Sequence, residues 1–181
     1  FVFVLVGYST KMGLFPMHTV TIDAHTVAPP PISAFISTTL MNVGFLAIFR
    51  IYNLFSGTSI LPFMNRVLLI SGFLSLLVSA GYMLKAKHNK RMLAYSSLEN
   101  MGIVAIALGV GGVGYYAAIL HLVLHSLAKA GLFYQVGLSH HVLGTWKLDE
   151  SGKYMTLFPA GGGALLLGLL CIAAIPPSGM F

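Results

Sequence analysis

Long apolar runs, separated by short basic, glycine-rich or proline-rich breaks, constrain this chain more than any other feature. Most of the runs approach or exceed the roughly 20 residues that a helix needs to cross a bilayer. Charged residues make up only 8% of the 181 residues, whereas a soluble domain carries roughly 25%. A water-exposed surface cannot be built from so few charges. The sequence therefore predicts an all-α, polytopic transmembrane helix bundle.

The runs divide the chain into about five membrane segments and the start of a further one, within a single transmembrane domain over residues 1–181. The segments are a broken helix over 1–28, helices over 32–52, 61–84, 92–110 and 115–141, and the start of another broken helix over 154–181. Pro16 and the prolines at 29–31 interrupt the first broken helix, and Pro176 and Pro177 interrupt the last. Both ends of the sequence fall inside apolar stretches, so we expect a piece of a longer membrane protein.

Basic residues are distributed unevenly between the two sets of loops. Alternating spans leave only Arg50 and Arg66 on one side. The other side carries Lys85, Lys87, Lys90, Arg91, Lys147 and Lys153. The positive-inside rule assigns this more basic side to the cytoplasm. The excess of positive charge therefore indicates orientation in the membrane and not a nucleic-acid surface.

Three ionisable side chains recur inside the fifth apolar run, in the stretch HLVLHSLAKAG. His121, His125 and Lys129 are spaced at i, i+4 and i+8. On a helix, each step of four residues advances about 6 Å and drifts only about 40° around the axis. The three residues therefore form a ladder, roughly 12 Å long, on one helix face.

Three interpretations of this ladder compete. The side chains could extend to water at the interface, but the apolar flanks GYYAAIL and AGLFYQVGL place them well inside the span. The two histidines could share a metal ion, but Leu122 replaces the glutamate of an H-E-x-x-H motif and no third ligand is nearby in the sequence. We favour a proton relay, because imidazole both donates and accepts protons near neutrality. Ionisable residues inside a membrane usually mark ion pathways.

A second intramembrane lysine accompanies the first helix break. Lys11 follows the apolar stretch FVFVLVGYST and stands directly before GLFP, where Pro16 interrupts the helix. The last helix is interrupted too, at IPPSG. Proline-interrupted spans in corresponding halves of a transporter are the best sequence indication of its ion-binding site. Lys11 is therefore a further candidate for the proton pathway.

Four motifs, occurring in order along nearly the whole chain, carry a family resemblance. They are STKMGLFPMHTVTIDAHTVAPPPISA, NKRMLAYSSLENMG, HLVLHSLAKAGLF and IPPSGMF. The chain resembles the antiporter-like, proton-translocating membrane subunits shared by complex I, Mrp antiporters and energy-converting hydrogenases. The SSLEN and HSLAK stretches are most similar to the hydrogenase 4 component F branch, the formate-hydrogenlyase type.

This resemblance implies an antiporter-like inverted-repeat fold, of which the chain would supply the C-terminal half. It implies proton translocation driven by a redox complex. By this resemblance, Lys11 matches the family's lysine on the broken helix, and His121, His125 and Lys129 match its central row of polar residues. The implied partners are other membrane subunits, a peripheral redox arm reached through them, and the bilayer of a bacterial or archaeal cytoplasmic membrane.

No metal site or redox cofactor is expected in this chain. Cys171 is the only cysteine, so a thiolate cluster and an internal disulfide are excluded. The sequence also lacks a glycine-rich nucleotide loop after a strand. If the complex performs oxidoreduction, we expect a non-redox role for this subunit.

The chain departs from the family pattern at three points. The stretch HTVTIDAH lacks the tryptophan and one proline of the family's H-x-W-L-P-D-A-H segment. Asn42 stands where many complex I members carry a second central lysine, 31 residues after Lys11. Because an amide does not ionise, Asn42 could only hold water. The glutamate partner of Lys11, and the terminal lysine or glutamate beyond the last break, fall outside this sequence.

Four further polar residues each have two possible roles. His18, Asp23 and His25 flank the first break, where they either cap a solvated loop or take up protons near Lys11. Glu99 lies about two turns inside the fourth span, where it either pairs with a cation or takes up protons from the cytoplasm.

Two functions other than redox-driven proton translocation stay open. Sodium/proton exchange would need a site of oxygen ligands, which the sequence does not locate. A non-pumping structural anchor of the complex would keep the buried charges without using them.

Overall fold

The computed structural model describes residues 1–180, and this part of the chain is helical without strands. Its α-helices are α1 (Val2–Met12), α2 (His18–Val27), α3 (Pro30–Phe35), α4 (Met41–Leu54), α5 (Leu61–Met83), α6 (Asn89–Val110), α7 (Gly114–Leu143), α8 (Lys153–Leu157) and α9 (Pro159–Ile172). A π-helical turn over Ile36–Leu40 joins α3 to α4. The predicted all-α bundle with discontinuous helices is confirmed.

Four helices in the described part are long and apolar enough to cross a membrane. They are the continuous stretch Pro30–Leu54, α5, α6 and α7. The sequence predicted spans over 32–52, 61–84, 92–110 and 115–141, so each helix coincides with a predicted apolar run. The last predicted segment, over 154–181, includes Phe181, which lies outside the described residues.

The first broken helix consists of α1 and α2, with the break between Met12 and His18. Gly13 ends α1 in the left-handed conformation (φ 81°), which a glycine adopts without strain. Two side chains then satisfy backbone groups near the break. The Phe15 amide donates to Ser75 Oγ at 2.9 Å, and the Thr21 hydroxyl donates to the Thr10 carbonyl at 2.8 Å. These contacts make a broken helix tolerable in a bilayer, where unpaired backbone groups are costly.

A buried lysine stabilises the other end of α2. Lys90, at the start of α6, is only 3% exposed. Its ammonium donates to the carbonyl of Thr26 at 2.9 Å and also to the carbonyl of Ala28. The last carbonyls of a helix lack intrahelical donors and carry partial negative charge. A lysine there supplies the missing hydrogen bonds and offsets the negative charge. Lys90 thereby holds α2 against α6.

Small residues let α5 and α6 approach closely. A β-carbon added to Gly72 would meet the carbonyl oxygen of Gly102 at 2.8 Å, which leaves no room for a side chain. Ser75 and Ser79 follow on the same face of α5 and are fully buried. Small residues allow this approach in membrane bundles, where helices associate through close van der Waals contact. This contact makes α6 the inner helix, with α2, α5 and α7 all packing on it.

The last helix is interrupted at two places. The short α8 ends at Leu157, and Pro159 then begins α9 after Phe158, whose backbone is not helical (φ −140°, ψ 79°). The helix α9 ends at Ile172, four residues before Pro176, so the second break begins earlier than the proline pair. Ala174, with φ 54°, lies in the left-handed region. Beyond α9, Pro176 and Pro177 are exposed.

Two loops meet at one end of the bundle. The loop before α6 and the loop after α7 exchange backbone hydrogen bonds: Asn89 N donates to Trp146 O, and Leu148 N donates to Lys87 O, both at 3.0 Å. The Trp146 ring stacks on His140 at 3.8 Å and on His88 at 5.7 Å. The two most basic loops therefore lie on the same side of the spans.

Candidate functional site

The ladder on α7 faces the interior of the bundle. His125 and Lys129 are fully buried, and His121 is half-buried. The Lys129 ammonium donates to the carbonyl of Leu93 on α6 at 2.7 Å. The ammonium therefore lies between α6 and α7, inside the bundle and away from the interface. This burial is inconsistent with a lysine that extends to water.

His25 joins the ladder from the first broken helix. The sequence suggested a loop position beside the break, but the chain resumes as α2, and His25 lies in the last turns of that helix. Its side chain is fully buried. The imidazole stacks on Phe133 with ring centroids 5.1 Å apart, and Phe133 lies one turn beyond Lys129 on α7. His25 is also close enough to Lys129 and His125 for their charges to interact. The three groups form one cluster, which we call the central cluster.

The two fully buried imidazoles have no hydrogen-bond partner among residues 1–180. This applies to both ring nitrogens of His25 and both of His125. Buried polar atoms in proteins are nearly always paired with protein groups or with ordered water. Pairing of these nitrogens would therefore need water inside the bundle.

Neutral polar groups surround the central cluster. The ring nitrogen Nε2 of His121 lies 2.9 Å from Asn100 Oδ1 on α6. The hydroxyls of Ser37 and Ser97 are 3.0 Å apart, between the π-helical turn and α6. Such groups both donate and accept hydrogen bonds, so they extend the polar interior along α6. Asn100 and Ser37 were not predicted from the sequence, because both pair with side chains on other helices.

Asn42 lies beside α7 on the adjacent span. Its side-chain amide donates to the Ser126 hydroxyl at 2.9 Å. The amide oxygen of Asn42 is buried and has no partner among the described residues. A cavity of about 360 Å³ lies here, and its polar lining consists of Thr38, Thr39, Asn42 and Ser126. The position that lacks the family's second lysine therefore faces an open groove, where Val43 and Leu46 accompany these four polar side chains.

Glu99 lies in a separate cavity of about 500 Å³ between α6 and the end of α9. Ser96 and Asn100 line the same cavity, as do Ala173 and Ala174 at the second helix break. Glu99 is half-buried, and it is close enough to Lys129 for their opposite charges to attract. Asn100 connects this cavity to His121. Glu99 is thus adjacent to the central cluster.

The structure does not bring Lys11, His18 and Asp23 into the central cluster. Lys11 is exposed on α1, where it lies against Gly44 of α4. His18 is half-buried and stacks on Phe15 at 5.9 Å, and Asp23 is exposed on α2. Pro16 and the proline pair at 176–177 lie near the two breaks. Lys11 is therefore separate from the α7 ladder within the described residues.

Lys90, which the sequence placed among the basic loop residues on the cytoplasmic side, is buried. A signal for its burial was available, because Lys90, Ala94 and Ser97 follow at i, i+4 and i+7 on the face of α6 that is buried. Its contacts with the end of α2 give it a structural role beside His25, with which it interacts electrostatically.

A shared metal ion between His121 and His125 would require further ligands. Across residues 1–180, no three histidine, cysteine or acidic side chains are grouped closely enough to hold a metal ion. The arrangement around the ladder consists instead of hydroxyls, amides and backbone carbonyls, which suit hydrogen-bonded water and protons.

Known proteins resemble this chain along its whole length. The family described as NADH:quinone oxidoreductase/Mrp antiporter, transmembrane, matches residues 1–181. The chain is 39% identical over 182 residues to a hydrogenase-4 component F homolog of Methylacidiphilum infernorum, and the match covers 100% of this chain and 38% of that protein. The chain therefore spans less than half the length of this relative.

Two solved structures have the same fold. The archaeal membrane-bound sulfane sulfur reductase contains a chain with a TM-score of 0.87 and 28% identity, covering 95% of this chain and 36% of that one. The Mrp complex from a Dietzia species also has a TM-score of 0.87, with 25% identity over 99% of this chain and 20% of that one. The chain therefore belongs to the NADH:quinone oxidoreductase/Mrp antiporter family of integral membrane subunits, as its four motifs predicted.

Proposed function

We propose that this chain forms part of a proton-translocating subunit in a redox-driven membrane complex of the hydrogenase 4 or complex I type. The observation that carries the proposal is the central cluster: His25, His125 and Lys129 are all fully buried where the broken helix meets α7. Burying three ionisable groups together is costly, and ionisable residues inside a membrane mark ion pathways by default.

The chemistry of the cluster suits a relay. Each imidazole donates from one nitrogen and accepts at the other when neutral. A positive charge on Lys129 raises the cost of protonating His125 and His25, because like charges repel strongly in a low dielectric. A proton arriving at one group therefore favours release from a neighbour. Glu99, in the cavity beside α9, is the proposed uptake group, with Asn100 and His121 continuing the polar interior.

The proposed setting follows from the relatives. Similarity to a hydrogenase component and to respiratory and Mrp complexes supports assembly with other membrane subunits, and through them with a peripheral redox arm. We propose the bacterial or archaeal cytoplasmic membrane as its location. The chain itself would supply proton transfer, and the redox chemistry would belong to its partners.

Sodium/proton exchange is a second candidate, favoured by one observation. The cavity at Asn42 combines an unpaired amide oxygen with the hydroxyls of Thr38, Thr39 and Ser126. Oxygen atoms are the ligands that hard cations prefer. The similarity to a chain of an Mrp complex supports this alternative.

Reconstitution separates these functions. The full complex is placed in proteoliposomes and supplied with its electron donor. We expect the vesicles to take up protons at the same rate with and without sodium. Strict dependence on sodium, with sodium accumulating in exchange for protons, would favour the antiporter. Electron transfer with no proton movement under either condition would identify a structural anchor.

The first prediction concerns Lys11. If Lys11 is a relay station on the broken helix, Lys11→Met in the full-length subunit should lower proton uptake roughly tenfold or more, because a positioned proton-transfer group has been removed. Assembly should persist, since the side chain is exposed in this chain. The matched control is Lys153→Met at the exposed start of α8. Equal uptake by the Lys11 variant and wild type would exclude Lys11 from the pathway.

The second prediction concerns Glu99. Glu99→Gln keeps the shape and hydrogen bonding of the side chain but cannot ionise. We expect a partial loss of proton uptake, about two- to tenfold, because water in a cavity of about 500 Å³ can bypass one uptake group. Glu150→Gln, which removes an exposed carboxylate paired with Lys147, is the control. Unchanged uptake and pH dependence would reduce Glu99 to a structural partner of Lys129.

A further inference from the structure

A basic pocket opens at the end of the bundle where α5 meets α6. Its volume is about 310 Å³, and it lies at the junction of two membrane spans. The basic side chains that line it are Lys85, Lys87, His88 and Arg91, accompanied by Tyr82 and Tyr95. The lining includes no carboxylate. The only ion pair among residues 1–180 joins Lys147 to Glu150, so the three cations of this pocket have no acidic partner there.

The geometry of the pocket is held by aromatic contacts. Tyr82 of α5 stacks on Tyr95 of α6, with ring centroids 5.4 Å apart. The Arg91 guanidinium lies over the Tyr95 ring at 6.0 Å. These contacts bring Arg91 to the pocket next to Lys85. A guanidinium matches the oxygen pair of a phosphate, and an ammonium adds a point charge.

An excess of positive charge also acts on His88. Burial, followed by the positive charges of Lys90 and Arg91 and the neighbouring His140, lowers the pKa of His88 from its ordinary value. A negatively charged ligand in this pocket would offset that repulsion.

An apolar groove of about 280 Å³ continues from the pocket along α5. Leu77, Val78 and Gly81 line it, and it shares Tyr82 and Lys85 with the basic pocket. From Leu77 to Met83, where α5 ends, the helix advances about 9 Å toward the interface. A β-carbon added to Gly81 would meet nothing within 4 Å, so the groove is open there. The site is therefore amphipathic, with cations at the interface and an apolar groove below them.

We propose that the pocket and groove bind one anionic phospholipid, with its phosphate among Lys85, Lys87 and Arg91 and an acyl chain along Leu77 and Gly81. Basic pockets between transmembrane helices at the interface bind phospholipid headgroups of this kind. The proposal is independent of proton transfer, because none of these residues belongs to the central cluster. It gives the basic residues after α5 a ligand, in addition to their role in orienting the chain in the membrane.

Lipid binding is tested on the purified full-length subunit, delipidated and then supplied with phosphatidylglycerol or phosphatidylcholine. Native mass spectrometry counts the retained lipid. Wild type is expected to retain phosphatidylglycerol in preference to phosphatidylcholine. Each basic residue near a membrane surface strengthens binding of an anionic lipid about fivefold, so the double variant Lys85→Gln/Arg91→Gln should reduce retention roughly twenty-five-fold.

Two further variants make the result specific. Gly81→Leu leaves every charge in place but fills the groove, and it should also lower phosphatidylglycerol retention. Lys147→Gln/Lys153→Gln removes two charges from the same side of the bundle, outside the pocket, and should leave retention unchanged. An equal loss in that control pair, or no preference for phosphatidylglycerol in wild type, would overturn the proposal. Displacement of the lipid by inorganic phosphate at equal concentration would do so too, because it would identify a phosphate site without an acyl chain.

Discussion

Replacing Lys129 by alanine is expected to lower proton uptake by the reconstituted complex roughly a hundredfold or more, because the buried cation of the central cluster is removed from a proton-transfer chain. The substitution should not disturb assembly through lost hydrogen bonding. The Leu93 carbonyl that accepts from the Lys129 ammonium also accepts from the Ser97 hydroxyl at 3.1 Å, so it keeps a side-chain partner. Electron transfer and subunit content, measured on the same preparation, report on assembly.

Lys129→Arg distinguishes a relay from a fixed charge. Arginine stays protonated at every reachable pH, so it cannot release a proton, and we expect this variant to fail as well. A purely structural role for the positive charge predicts the opposite order, with arginine tolerated and alanine not. Lys147→Ala and Lys147→Arg, on an exposed loop, are the matched controls. Full proton uptake by an assembled Lys129→Arg complex would refute the relay on α7.

The second large effect is expected at His25. His25→Phe keeps a flat ring that can stack on Phe133, as the imidazole does, but it removes both nitrogens. Because Lys90 still holds the end of α2, the helix should stay in position. We expect proton uptake to fall roughly a hundredfold, the lower end of the range for the loss of one positioned proton carrier.

His18→Phe is the control for His25. Both histidines lie on α2, but His18 is half-buried, stacks on Phe15 and lies outside the central cluster. Normal proton uptake in the His18 variant, together with a loss in the His25 variant, would show that the effect comes from the position of His25 in the central cluster. Removing a histidine from α2 would then not be sufficient to cause it. Equal uptake by His25→Phe and wild type would limit His25 to packing.

Local pattern predicted the α7 part of the site. The spacing of His121, His125 and Lys129 requires only helical geometry to place them on one face, and their apolar flanks indicated depth in the membrane. Pro16 likewise marked the first break, because a proline inside an apolar run disrupts the backbone ladder in any fold. Such features depend on neighbours within a few residues, so a single sequence is sufficient to find them.

Contacts between distant segments could not be predicted from local sequence pattern. His25 precedes Phe133 by more than a hundred residues, and nothing local indicates that α2 turns toward α7 after the break. The burial of Lys90 has the same origin, because its partners are carbonyls at the far end of α2. The end of α9 likewise falls at Ile172, four residues before Pro176, and the chain then passes through a positive φ at Ala174.

The sequence by itself determined that this chain is a bundle of membrane-spanning helices, interrupted near Pro16 and near Pro176. It also determined that three ionisable side chains lie on one face of α7. Hydrophobic run length and helical period are local quantities, and they decide these features before any helix meets another. Only the tertiary structure decided that His25 completes the cluster with His125 and Lys129, and that Glu99 lies in a cavity beside them. The physical reason is that burial of a charge depends on which helices surround it, and that is set by close approaches such as Gly72 to Gly102 and by Lys90 holding α2 against α6.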